Sequence, residues 1–335
     1  MRARFFLIPL LLVTIVASAC GAAKTPFPEM VTLKVTISPV MSYAPLLIAN
    51  AEGYFADYGI KIDEIKVAKS SEAIPLFVTG KVDVFAGVLS AGFLNTVYSE
   101  KNIKVVADRG HISKGAACTN WAIVIRKDLF ENGKVKNPAD LKGLTFSTSA
   151  SGPSGYLVST YLSQAGLTLK DLTIKNLDTP SEIQAFATQA IDGSTTPEPD
   201  LTNLLDGGNS VILAKAEDVL GTFQSGIIAF NTNLLVDQPG VGARFLAGYL
   251  KGVQQYNQGK TDRNLQILSQ ATGETVENLK RNCWPSISED GKIDFAGVEG
   301  FQKWSIANDQ LANPVTEEQF WDPSFLAAAQ KLIKP

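Results

Sequence analysis

Between residues 32 and 231 the sequence alternates short β-type runs with apolar-periodic helical ones, and this alternation restricts the fold more than any other feature. "TLKVTIS" (32–38) reads as a strand, 42–51 as a helix, "IKIDEIKV" (60–67) as a strand and 70–78 as a helix capped by Ser70. "VDVFAG" (82–87) is a short apolar strand, Ser90 caps a helix to about 99, and "IKVVADR" (103–109) is again a strand. The scheme then repeats, with strands at "WAIVIRK" (121–127), "LTFSTS" (144–149), "DLTIKNL" (171–177), "AIDGSTT" (190–196), "SVILAKA" (210–216) and "GIIAFN" (226–231). Between them lie a helix over 156–165 and one opened by a capping box, Thr179-Pro180-Ser181-Glu182. Strands alternating with helices of about ten residues indicate βαβ units and parallel pairing. From 239 onward the periodicity is helical, with Val241, Phe245, Leu246, Tyr249, Leu250 and Val253 on one face and further helices near 264–272, 276–282, 295–311 and 324–333. The expectation is an α/β protein of two similar halves with a helical C-terminal third.

The first residues read as a secretory signal: Arg2 and Arg4, an apolar run over 5–16, then Ala17-Ser18-Ala19-Cys20. That run is too short for a bilayer core, which needs about 20 residues. Either cleavage is ordinary and Cys20 incidental, or Cys20 is a lipobox cysteine that carries a diacylglyceryl anchor, which is the reading preferred here. Residues 1–19 are then the signal peptide, and 20–30 the lipidated cysteine and its tether. Such a protein is lipid-anchored at the extracytoplasmic face of the cell membrane. Some 305 residues follow, enough for two ordinary domains. The formal charge is −3, without a basic run, so nucleic acid is a poor partner. Cys118 and Cys283 either pair in an oxidising compartment or remain inert thiols. No spacing suggests a metal site or a cofactor, and His111 is the only histidine.

Ligands of open α/β sheets bind beyond the carboxyl ends of strands, which selects the loops at 38–43, 87–93, 147–156 and 195–200. Candidate contacts there are Ser38, Met41, Tyr43, Ser90, Ser149, Ser151, Gly152, Tyr156 and Glu198, with Asn95 on the helix after Ser90 and Trp121 at the start of a strand that could face the cleft. None of these loops holds Lys or Arg. Aromatics with Ser, Asn and Glu suit a flat, neutral heterocycle, stacked for area and oriented by a few hydrogen bonds. Each aromatic has burial in the core as its alternative, and Glu198 between two prolines is either a ligand acceptor or a solvated turn acid. "SASGPSG" bares backbone N–H groups before a helix, where a carbonyl or anion is favoured. It is one residue short of a nucleophile elbow, and His111 is the only base a hydrolase could recruit.

Seven stretches carry a resemblance: "APLLIANAEGYFADYGIKID", "PLFVTGKVDVFAG", "SAGFLNTV", "PADLKGLTFSTSASGPSG", "YLSQAGLTLKDL", "QAIDGSTTPEPDL" and "DPSFLAAAQKL". In this order they resemble the substrate-binding proteins of ABC transporters, in the group serving thiamine pyrimidines, riboflavin, sulfonates, taurine and nitrate. The resemblance implies a two-lobed, type II Venus-flytrap fold. Lobe 1 would span 31–111 plus 226–335 and lobe 2 112–225, with crossings near 108–113 and 223–230. It implies a monomeric, non-enzymatic receptor that delivers a small molecule to a permease with its ATPase. It places 38–43, Ser90 and 149–152 on ligand loops, and Glu198 on a Glu-Pro whose usual preceding aromatic is here Pro197. Riboflavin leads among the implied ligands, followed by a thiamine-precursor pyrimidine. The alternatives are a small sulfonate, taurine or nitrate-like anion, and, in another class, an α/β hydrolase or pyrimidine-synthesising enzyme. The cysteine-rich motif of fungal pyrimidine synthases is absent. "GYFADYGI" is left as scaffold.

Overall fold

The computed structural model describes residues 30–38, 40–67 and 70–333. The expected signal peptide, Cys20 and residues 21–29 of the expected tether lie outside the described residues. Strand β1 (Val31–Ile37) turns Leu33, Val35 and Ile37 into the core. It pairs in parallel with β2 (Ile60–Lys66), from Val31 opposite Ile60 to Ile37 opposite Lys66, and with β3 (Val84–Val88). After β4 (Lys104–Ile112) the chain builds a second sheet from β5 (Trp121–Arg126), β6 (Thr145–Ser147), β7 (Thr173–Lys175), β8 (Gly193–Pro197) and β9 (Ser210–Lys215). It returns through β10 (Phe223–Phe230), which lies antiparallel between β3 and β4.

The two sheets share one plan. Their orders are β2-β1-β3-β10-β4 and β7-β6-β8-β5-β9. In each, the antiparallel strand is the one that enters the sheet after a crossing, β10 in the first and β5 in the second. The fold is thus α/β and two-lobed, as the alternation and the resemblance imply. Both entering strands are buried on both faces, which is why "WAIVI" and "IIAF" read as continuous apolar runs.

Helices cover the first sheet on both sides. On one side Ala44–Ala51 packs against the long helix Pro239–Tyr256, which also carries Ser324–Ile333. Phe55 stacks on Phe245 with ring centres 5.1 Å apart, so the aromatics of "GYFADYGI" are scaffold. On the other side Phe77, Phe85, Phe93 and Phe320 form an aromatic column. A second aromatic group, Trp121, Phe223, Tyr156, Phe301 and Trp304, joins elements of both sheets, because the helix Phe295–Ala307 reaches β10 and the helix Gly152–Ser163 alike. Cys118 and Cys283 form a disulfide with Cα atoms 5.7 Å apart.

Local signals are reproduced with small shifts. Ser90 caps its helix by accepting from the Phe93 N–H at 3.2 Å. Ser70 does not cap one: it opens a 3-10 turn and accepts from Val88 N–H instead. The helix cap lies one residue before the expected capping box. Asp178 is the N-cap, accepting from Ser181 N–H at 3.0 Å, and Glu182 turns inward. The helix expected from 156 starts at Gly152, with Pro153 in its first turn, where a missing N–H costs nothing.

Gly252 shows how closely the long helix approaches its neighbour. A Cβ there would stand 2.2 Å from the Pro45 carbonyl oxygen and 2.8 Å from the Ala49 Cβ. Gly252→Ala is therefore expected to lower unfolding stability by about 3 kcal/mol, read by urea denaturation. A change below 0.5 kcal/mol would mean that the two helices do not pack this closely.

Candidate functional site

Three of the four loops selected from the strand ends converge on one cleft of about 460 Å³ between the sheets. Ser38, Val40 and Tyr43 come from the loop after β1, Val88 to Gly92 from the end of β3 and the next helix, and Ser149 to Ser154 from the loop after β6. A fourth wall comes from Ser70, Ser71 and Ile74. Among the described residues, the lining contains seven serines and, apart from the Tyr43 phenol, no ionisable side chain. Val40, Ile74, Val88 and Pro153 supply an apolar side.

Two helices begin at this cleft, Ala91–Ser99 and Gly152–Ser163. The first N–H groups of a helix lack intrahelical acceptors, and the aligned peptide dipoles place a partial positive charge there. Ser151, the N-cap of the second helix, has extended backbone and makes no side-chain cap bond, so its hydroxyl is not committed to the helix. The loop folds tightly over this helix start: a Cβ on Gly155 would lie 2.7 Å from the Ser149 carbonyl oxygen, which only glycine avoids. Hydroxyls and helix starts together offer donors without a fixed charge.

Of the sequence-predicted residues, Ser38, Tyr43, Ser90, Ser149, Ser151 and Gly152 border the cleft together. The others stand elsewhere for clear physical reasons. Met41 is buried in the core of the first sheet. Asn95 is exposed one turn further along its helix, and its amide donates to the Gln310 carbonyl. Trp121 packs on Phe223, and Tyr156 lies within 5.6 Å of Phe223, Phe301 and Trp304, so both serve the core. Glu198 is buried at the end of β8, where its carboxylate accepts from Thr202 N–H and hydroxyl and from Cys283 N–H, at 2.8–3.0 Å. It braces the segment that carries the disulfide. Burial raises its pKa, with those hydrogen bonds working against the shift.

One residue under the cleft carries no sequence signal. Arg109 on β4 is fully buried beneath Tyr43, its guanidinium carbon 3.9 Å from the ring centre. It donates to the Ser42 hydroxyl and the Gly87 carbonyl. Burial raises the Tyr43 pKa, and the Arg109 charge opposes it. His111, two residues on, lines a different cavity of about 130 Å³ beside Cys118, Glu217 and Trp284. Its Nδ1 lies 2.8 Å from the Asp108 carboxylate; burial pushes the imidazole pKa down, but Asp108 outweighs it and the net direction is up.

Glu182, on the helix Thr179–Ala187, is buried against β8 of the second sheet. Burial pushes its pKa up to about 7, against hydrogen bonds from Ser147 and Thr196 and with the nearby Asp200 and Asp178 adding to the rise. A raised carboxyl pKa favours the protonated folded state. Its contribution is complete below about pH 4.5 and is lost as pH rises toward 7.

The NMT1/THI5-like family pattern matches residues 41–258. Among curated proteins, none matches the sequence. The fold is similar to the periplasmic nitrate-binding protein NrtA from Synechocystis PCC 6803, at 14% identity and TM-score 0.73, covering 92% of this chain and 90% of that one. The Escherichia coli periplasmic aliphatic sulphonate-binding protein SsuA is similar at 16% identity and TM-score 0.66, covering 87% and 92%. The desulfurization enzyme DSZB is similar at 13% identity and TM-score 0.64, covering 90% and 99%. At these identities the likeness is one of fold.

Two outcomes follow from the carboxylates. Glu182→Gln is expected to be as stable as the parent at pH 4 and more stable at pH 8, by up to about 3 kcal/mol; parallel stability–pH curves would contradict the assignment. Glu198→Ala leaves the Cys283 N–H without its acceptor and is expected to lower stability by about 1–3 kcal/mol, with ligand affinity changed less than twofold. A large loss of affinity at unchanged stability would make Glu198 a ligand contact after all.

Proposed function

Because this chain belongs to the NMT1/THI5-like family, we propose that it is the extracytoplasmic solute-binding component of an ABC importer. Its solute carries a small oxyanion of the sulfonate type on a short apolar body. The observation that carries this reading is the cleft lining: seven serines and two helix starts, with no carboxylate among the described residues to repel an anion. Tetrahedral oxyanions accept several short hydrogen bonds at once, and converging hydroxyls and helix N–H groups meet that need. Val40, Ile74, Val88 and Pro153 would shelter the apolar body. Two proteins of the same fold bear names of sulphonate and nitrate binding, which supports the same class.

A riboflavin- or pyrimidine-type heterocycle fits less well, because it requires aromatic faces. Tyr43 alone of the expected aromatics borders the cleft, and Arg109 already covers one face of its ring. An enzymatic reading would need a base beside the serines of "SASGPSG". No His, Asp, Glu or Lys lines the cleft among the described residues, and His111 borders the separate cavity. Delivery to a permease, with Cys20 as the lipid anchor, belongs to the same proposal.

Isothermal titration of the soluble chain against a short alkanesulfonate, taurine, nitrate, riboflavin and a thiamine-precursor pyrimidine tests this order. The alkanesulfonate is expected to bind tightest, at micromolar Kd or below. Riboflavin binding at that level with no response to any anion would overturn the oxyanion reading.

A further inference from the structure

We propose that Arg109 sets the charge specificity of the cleft, acting from behind its wall through Tyr43 and Ser42; the inference rests on the oxyanion reading above. The guanidinium is fully buried and, among the described residues, meets no carboxylate. Its partners are neutral: the Gly87 carbonyl at 2.7 Å, the Ser42 hydroxyl at 2.6 Å and the face of Tyr43. The adjacent carboxylate, Asp108, is committed elsewhere. It accepts from Gly110 N–H, Gln224 Nε2, Ser288 N–H and His111 Nδ1, all at 2.7–2.8 Å.

Taking a cation out of water without an ion pair costs several kcal/mol, and the packing around it is close. A Cβ on Gly226 would stand 3.2 Å from the guanidinium Nη2 and 3.1 Å from the Arg109 carbonyl carbon, so glycine makes room for the side chain. Tyr43 borders the cleft on one side and the guanidinium on the other, and Gly87 immediately precedes Val88 of the cleft wall. The charge is therefore about one residue layer from the solute and separated from it by protein rather than water. In that medium its field is screened far less than at a surface. The serines and helix starts give geometry and hydrogen bonds; Arg109 gives the sign of the potential. A neutral isostere of the solute would keep the first and lose the second.

The test compares a short alkanesulfonate with the primary sulfonamide of the same chain, an uncharged analogue, in the parent and in Arg109→Met and Arg109→Lys. In the parent the sulfonate is expected to be preferred. Arg109→Met should reduce that preference roughly 10- to 100-fold, the range for one charge acting across several ångströms of protein, mostly through weaker sulfonate binding. Arg109→Lys should retain most of it. If Arg109→Met does not fold, Ser42→Asp neutralises the guanidinium in place, since the Ser42 oxygen already lies 2.6 Å from Nη1, and the same loss is expected. An unchanged sulfonate-to-sulfonamide ratio in a folded variant overturns the role of Arg109 alone. A parent that binds neither compound overturns the oxyanion reading itself.

Discussion

The Asp108 carboxylate is the point on which the two-sheet arrangement depends. Fully buried on β4, it gathers donors from its own strand (Gly110, His111), from β10 (Gln224) and from the C-terminal segment (Ser288). These are the places where the chain leaves the first sheet, re-enters it and runs back across both. A buried carboxylate satisfied four times over is costly to disturb, because losing one partner strands a charge in a poorly polarisable interior. These bonds hold β4 against β10 where the pairing of the two strands is irregular. Arg109, which has no partner in that register, places its guanidinium under Tyr43.

The C-terminal third completes this bracing rather than adding a separate layer. The segment after the helix Val276–Arg281 is held on the second sheet's side by the disulfide and by Glu198, and on the first sheet's side by His111 and Asp108. The Tyr256 hydroxyl adds a hydrogen bond to the Pro285 carbonyl at 2.7 Å. Glu198, which local sequence makes a plausible ligand acceptor, is recruited for this fastening.

Strand and helix positions were legible because they follow from local periodicity: β1, β2, β3 and the long helix Pro239–Tyr256 fall where alternation and the 3.6-residue stripe put them. The cleft loops were legible too, through the rule for strand ends, and three of four meet. Orientation was not. Whether Tyr156 or Trp121 faces a ligand or another aromatic is decided by Phe223 and Phe301, which are distant in sequence and carry no mark of their role. Arg109 lies in an ordinary-looking strand, "VVADRGH", whose local pattern cannot tell what covers its side chain. The one-residue shift from Thr179 to Asp178 as N-cap has the same character. Local sequence does not decide which residue caps, and Glu182 is buried against Thr196 of β8.

The link between Cys118 and Cys283, 165 residues apart, also changes the topology of the chain. It closes a covalent ring that holds the entire second sheet, β10 and the C-terminal helices up to Arg281. Proteases attack exposed loops. A cut at 132–134 or 207–209 would sever the backbone but release no fragment, since both ends stay joined through the ring. The half of the cleft built from the Ser149–Ser154 loop is thereby kept beside its counterpart after damage that would otherwise let it drift away.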